Sequence, residues 1–551
     1  MILRGSFLRS LGAGVIVASS ALVTFDVQAA TPPPASVNTL NVSLPGPFNG
    51  CTILDPGATP TTNAILDLVR PSAFLTTSGD NLVGEGGAIT SAELVSLTPE
   101  TVVYTIAPNQ HWSNGAKFSG VDLVGWWERA KQLASVQSDG YRDIRSLVES
   151  SNALTVTATF TRPYAEWNEL FRDVEALGAP AGCTWGDFLA RPSLGPYDVV
   201  SASPNRFVLV ANAKWPLDPN RFARVVITDS SALPSSPNAY FVGYSLNVTS
   251  ATVEAVSAHP SIASHIGTSS QNAEITFAPQ RPLTRSLALR EALSLILIRQ
   301  KIINDLYGSV TFSPSVAQSA LFSQGQSAYP GGSGSGPSAQ STTTTVTSTT
   351  QSTSLVDCTT CALDLLKKAD YVRTPAGWRS ATGAPLALRA TVGPTSLDQQ
   401  VAAQVEAQWR ADGIEVASVT ASSDELAAYA VASNQSDVAI FTRPTSTTAS
   451  YSARSYAGPA YLDSYPSGVR TSVLNSLYTT GTSIFNPVTA QATWLDLDQE
   501  VMSDFWVRPL FTAPSLVEWS NTIGQVYGSI SVQGLADQIT GWGIVQPPSQ
   551  G

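Results

Sequence analysis

Apolar residues recur at i, i+3 and i+4 through SLALREALSLILIRQKIINDLYG (286–308), and this period predicts one helix ending at Gly308. LDQQVAAQVEAQWRADG (397–413) repeats the pattern and stops at Gly413. Period-2 alternation and β-branched residues mark strands at NTLNVSLPG (38–46), TVVYTIAP (101–108), ALTVTATF (153–160), RFVLVAN (206–212) and RFARVVIT (221–228). HWSNGAKFSGVDLVGWW (111–127) joins two such patterns. Asn114-Gly115 is a turn dipeptide, Ser119 is a helix N-cap, and Asp122 in the first turn complements the helix dipole. The stretch reads strand, turn, helix.

After residue 356 the rhythm changes to helix–strand alternation. DLLKKADYV is helical, LALRATVG (386–393) a strand, IEVASVTA a strand, DELAAYAVAS a helix and DVAIFTR (437–443) a strand. A last helix, TAQATWLDLDQEVMSDF, precedes the apolar strand WVRPLFTAP. This is the rhythm of an open α/β sheet, and the two different halves predict two α/β lobes. Between them, 329–356 is rich in Ser, Thr and Gly and buries too little apolar surface to order itself; a disordered, O-glycosylated surface loop is expected.

A chain of 551 residues exceeds one core. Thirty basic and 41 acidic residues give a net charge of −11 without a basic cluster, which argues against a nucleic-acid partner. Arg4 and Arg9 precede an apolar run too short to span a bilayer, and Val27-Gln28-Ala29 offers a cleavage site. A signal peptide over 1–29 and a soluble, exported mature chain without a lipobox cysteine are expected. Four cysteines allow three pairings, and Cys51–Cys183 with Cys358–Cys361 is the expected set. The C-x-x-C at a helix start could be redox-active or a local clip, and the clip is preferred because no thioredoxin-like βαβ pattern surrounds it. His111, His259 and His265 lack partners at metal-ligand spacing, and no nucleophile elbow, zinc-protease or P-loop motif occurs. No enzyme, metal or cofactor is nominated. Asp496 and Asp498, at i, i+2, read as solvated helix charges.

VYTIAPNQHWSNGAKFSGVDLVGWWERA resembles a signature of the family 5 solute-binding proteins of oligopeptide, dipeptide and nickel ABC transporters, in their actinobacterial branch; Trp112, Ser113, Asn114, Gly115, Phe118 and Asp122 carry the match. LTVTATFTRPYAEW (154–167), GPYDVVSASPNRFVLVAN (195–212), LREALSLILIRQKIINDLYG, CALDLLKKADYVRTPAGW, WRADGIEV and WVRPLFTAPSL resemble later family segments in the same order. Ile298 stands where an Asp usually precedes Arg299.

The resemblance implies a two-lobed periplasmic-binding-protein-like fold that encloses its ligand by hinge closure. It implies lobe I over 31–277 and 508–551, with an accessory subdomain at about 75–185, and lobe II over 278–507. The crossings are expected at ITFAPQ (275–280) and RPLFTA (508–513). Ligands of open α/β sheets lie beyond the carboxyl ends of strands, so TRPTSTTASY (442–451) is expected to line the cleft. Peptide-binding relatives carry a Trp there and, soon after, an Asp for the α-amine. This chain has Arg443 and no acid from 442 to 451. Arg443, Ser446 and Tyr451 are therefore expected to meet an anionic or hydroxyl-rich ligand, facing VRPSAF (69–74) and the Glu85 and Gly86 of GEGG (84–87). The implied role is solute capture, of an oligopeptide or another polar compound, by a monomer serving ABC permease subunits. The alternative is a non-transport protein of envelope glycolipid assembly.

Overall fold

The computed structural model describes residues 38–544, apart from 331–355, 459–468 and several shorter stretches. The expected signal peptide and nearly all of the expected Ser/Thr/Gly-rich loop lie outside the described residues.

Two long strands organise the molecule. Ile262–Phe277 and Val507–Ser520 pair antiparallel near the centre of a ten-stranded sheet. On one side follow Tyr240–Ser245, Thr39–Ser43, Arg224–Thr228, Arg206–Ala211 and Tyr197–Ser203, the strands of lobe I. On the other lie Val438–Pro444, Ala387–Val392 and Glu415–Thr420, the parallel strands of lobe II. The pairing of the long strands is interrupted between Thr268 and Asn272, and from Gln271 onward the first of them also pairs with Val438–Pro444. We therefore place the crossing at 269–271, several residues before the 275–280 expected from the chain. Its partner crossing lies at about residue 513, between the two paired stretches.

The accessory subdomain is a four-stranded antiparallel sheet ordered Ile89–Leu97, Glu100–Ile106, Thr155–Phe160, Ile144–Glu149. The Trp-Ser-Asn-Gly stretch builds its core. Gly115 holds φ at 85°, a conformation side chains disfavour, and Asn114 Oδ1 accepts the Ala116 N–H at 3.0 Å. The turn returns Trp112 into the core, edge-on to Phe118 at 5.4 Å. Trp112 Nε1 then donates to Asp122 at 3.2 Å, while the other oxygen of Asp122 accepts the Ser119 N–H at 2.9 Å. One carboxylate thus ties the turn to the start of helix Gly120–Ala130.

The helix expected over 286–308 is two, Leu287–Leu295 and Arg299–Tyr307. The second begins where Asp357, distant in sequence, accepts the Arg299 N–H at 2.8 Å and its guanidinium at 2.8 Å. A carboxylate from elsewhere satisfies the orphan donor and the dipole of the new N-terminus, which periodicity alone does not reveal. Cys51 is joined to Cys183 and Cys358 to Cys361.

Candidate functional site

A cleft opens where both lobes meet the crossing strands. Lobe I contributes Thr76, Glu169, Arg172 and Gln533, the crossing contributes Ser270 and Gln271, and lobe II contributes Thr445, Ser446 and Tyr451. The space between them is about 40 Å³, room for no more than a few waters. The lobes are drawn together around it.

Glu169 and Arg172 arrive on a strained loop. Phe171 and Asp173 both have positive φ, 56° and 48°, a rare state for side chains of this bulk. The loop is held there by aromatic packing: Phe171 lies edge-on to Tyr104 at 4.6 Å, and its N–H donates to the Tyr141 hydroxyl at 2.8 Å. This geometry presents Arg172 to the cleft, where it donates to Thr76 Oγ1 at 2.9 Å and pairs with Asp67 at 3.5 Å and Glu169 at 3.7 Å. Burial alone would lower Arg172, but Asp67 and Glu169 outweigh it and raise it, so the guanidinium stays charged. Behind it, burial raises the carboxyls of Asp67, Asp173 and Asp537.

The residues expected from the chain divide here. Ser446 and Tyr451 line the cleft. Arg443 sits on the same strand end, yet its guanidinium turns into lobe II. Its Nε donates to Glu274 Oε1 at 3.1 Å, its Nη2 to the Ala320 carbonyl, and its carbon lies 5.1 Å from the Tyr456 ring. The expectation that Arg443 meets an anion is corrected accordingly, because its charge is already met by a buried carboxylate. Glu85 is buried behind the lobe I wall, where its Oε2 accepts the Ser72 N–H at 3.0 Å and burial pushes its carboxyl up. It does not line this cleft. Gly86, at φ 72°, serves the backbone turn beside it. The lobe I wall is instead built from Thr76, the 169–172 loop and the start of helix Val532–Ala536 with its N-cap Ser531. Four charged residues in the nine from 167 to 175, in a chain only 13% charged, were the available signal for that loop.

Further polar bridges join the accessory subdomain to lobe II. Glu166 accepts the Ser450 N–H at 3.0 and 3.3 Å, and the Thr482 carbonyl accepts the Ala165 N–H at 2.6 Å. Elements of the accessory subdomain and of lobe II thus meet across the cleft through direct hydrogen bonds.

A sheet crossed by two strands, with a polar cleft at the crossing, is the architecture of bilobal binding proteins. Residues 86–464 match the sequence profile of the family described as bacterial extracellular solute-binding proteins, family 5 Middle. The chain belongs to this family. Over 196 residues it is 28% identical to the oligopeptide-binding protein OppA of Mycobacterium tuberculosis H37Rv, an alignment spanning 32% of this chain and 32% of that protein. Over 160 residues it is 31% identical to the probable monoacyl phosphatidylinositol tetramannoside-binding protein LpqW of the same strain, spanning 27% of this chain and 25% of that one. Among solved structures, the periplasmic EDTA-binding protein EppA superposes with a TM-score of 0.74 at 17% identity, covering 92% of this chain and 97% of that one. The oligopeptide-binding protein AppA of Bacillus subtilis, in complex with a nonapeptide, gives 0.70 at 14% identity, covering 92% and 99%. At such identities the likeness is one of fold. This family 5 protein therefore has the two-lobed fold of periplasmic binding proteins, with an accessory subdomain in lobe I. No helix among the described residues is long and apolar enough to cross a membrane.

Proposed function

We propose that this protein is the extracytoplasmic solute-binding component of an ABC importer, and that it encloses a compact, neutral, hydroxyl-rich solute between its lobes. The observation that carries the reading is the composition of the cleft. Hydroxyls and amides from both lobes and the crossing converge there, while its one lining guanidinium, Arg172, is met by Asp67 and Glu169 of the same chain. Convergent hydroxyls and amides suit a sugar or cyclitol, which offers many donors and acceptors and no net charge. An extended peptide needs a longer cavity and an acid for its amine. An anion needs an uncompensated cation, and Arg443 is paired with Glu274.

The similarity to LpqW favours a second reading, in which the same cleft receives the glycan headgroup of an envelope lipid and the protein serves glycolipid assembly. Both readings share the hydroxyl-rich chemistry. A thermal-shift screen of free hexoses, inositols, dipeptides and phosphatidylinositol mannosides tests them together. A true ligand at a hundredfold excess over its Kd stabilises by about 2.7 kcal/mol. A shift with free sugars or inositols supports import, and a shift with the mannosylated lipid alone supports the second reading. Tight binding of an unmodified dipeptide refutes both.

A further inference from the structure

The polar groups that line the cleft differ in how far they are already engaged. Thr76 Oγ1 accepts from Arg172 at 2.9 Å, and Thr445 Oγ1 is bonded to the Ser323 hydroxyl at 2.7 Å and to the Ser270 carbonyl at 3.2 Å. Gln533 is engaged at one end only. Its Nε2 donates to Asp67 Oδ2 at 3.0 Å, and its Oε1 receives no hydrogen bond among the described residues. Glu169 also lines the cleft, with its side chain only 7% exposed. Its carboxylate stands 3.7 Å from Arg172, too far for a hydrogen bond, and accepts none from the described residues. Arg172 meets its charge and leaves its lone pairs unfilled. A carboxylate so deeply buried is costly until donors reach it.

We propose that Glu169 and Gln533 determine the specificity of the cleft: they are acceptors that read hydroxyl donors of the solute, and Asp67 is the positioning residue that turns the Gln533 carbonyl toward it. The inference rests on the proposed reading of the cleft as the site of a hydroxyl-rich solute. Its physical basis is the two-ended amide, which has donors on nitrogen and an acceptor on oxygen. Asp67 is buried behind the wall, and its other oxygen lies 3.5 Å from Arg172 Nη2. A carboxylate paired with a guanidinium only accepts, so the amide must keep its nitrogen toward Asp67. Turned round, it would set one acceptor against another. The oxygen is left for the solute. Asp67 lies on helix Pro60–Val69, Glu169 on the accessory loop and Gln533 on helix Val532–Ala536, all in lobe I. Parting the lobes therefore bares this acceptor wall without dismantling it, and a solute that enters meets it first. A solute whose hydroxyls are replaced by groups that cannot donate leaves both acceptors unpaired, which is the stronger form of discrimination.

The test is binding of glucose, galactose, mannose and myo-inositol, and of their monodeoxyfluoro analogues, to the full chain by calorimetry. Fluorine takes the place of a hydroxyl without a proton to donate. At least one parent polyol is expected to bind the wild type, and fluorine at the hydroxyls read by Glu169 and Gln533 is expected to weaken it by about 10- to 100-fold. Methionine keeps side-chain length and removes the acceptor oxygens. In Gln533→Met one of these preferences for hydroxyl over fluorine is expected to vanish, and in Glu169→Met the other. Asp67→Asn lets the Gln533 amide turn round, and the preference lost in Gln533→Met is expected to be lost here too. A merely structural role for Asp67 would weaken parent and analogue alike and leave their ratio unchanged. If Asp67→Asn does not fold, Gln533→Met and Glu169→Met decide the matter. A polyol that binds both methionine variants as it binds the wild type, or a loss shared equally by parents and analogues, overturns this inference and leaves the proposed function standing. A wild type that binds none of the polyols sinks the proposed function and this inference with it.

Discussion

Arg443 Nε lies 3.1 Å from Glu274 Oε1, and both side chains are almost wholly buried. Neighbouring strands of lobe II and the crossing carry them, in a register that sets Arg443 opposite Asn272, beside Glu274. Removing one partner strands the other's charge in a low-dielectric interior. Arg443→Ala is therefore expected to lower stability by about 3–5 kcal/mol, read as the shift of the denaturant midpoint. Arg443→Met with Glu274→Gln is expected to lose less than Arg443→Ala. A near-neutral single variant would show that the pair is not formed.

Asp357 holds two buried arginines. It accepts Arg299 Nε at 2.8 Å and Arg508 Nη2 at 2.6 Å, and burial pushes Arg508 down to about 9. Asp357→Asn keeps the shape and removes the charge. It is expected to destabilise by several kcal/mol, on the order of a broken buried pair. Unchanged urea unfolding would contradict this.

Closure is expected to depend on pH through Glu166. Burial raises its carboxyl to about 7, with Ser450 and Arg454 opposing and Glu169 adding to the rise. With the lobes apart the group titrates near ~4.3. A raised carboxyl favours the closed form fully below that open-state value, and the advantage is lost as pH rises toward 7, then levels off. The full loss is on the order of 3 kcal/mol. Scattering or interlobe fluorescence transfer from pH 4.5 to 8 should show opening with rising pH. Glu166→Gln should flatten the profile, and an unchanged slope in that variant would assign the effect elsewhere.

The Cys51–Cys183 bond closes a loop with a sequence separation of 132. The chain-entropy model puts its contribution at roughly 4–5 kcal/mol. Cys51→Ser with Cys183→Ser is expected to lower the denaturant midpoint accordingly. Four reactive thiols in the unreduced, denatured wild type would show that neither bond forms.

Trp112 and Asp122 are joined by a 3.2 Å hydrogen bond inside the accessory core. Trp112→Ala is expected to cost about 3–5 kcal/mol through lost volume and an orphaned carboxylate oxygen. Intact stability would show that the turn is surface decoration.

Much of the fold was legible along the chain, for local reasons. Turn chemistry at Asn114-Gly115, the N-cap at Ser119 and the period of 397–413 act within a few residues, so each wrote its element into its own stretch of sequence. The order of such stretches carried the two-lobed family resemblance. The place of Ser446 and Tyr451 on the cleft wall was legible for a related reason, since both follow the carboxyl end of a strand in an open α/β sheet. Tertiary structure alone decided what each charge faces. Arg443 looked free because Glu274 comes from a strand 169 positions earlier. Asp498 looked solvated because helix spacing shows only neighbours on its own helix; it is buried against the Ala320 and Leu321 N–H groups of a distant loop, and burial lifts it to about 6. The split at 296–298, the early crossing at 269–271 and the loop that presents Arg172 have the same origin. Local propensity depends on neighbours in sequence, whereas pairing partners and backbone strain depend on neighbours in space, which exist only once the chain has folded.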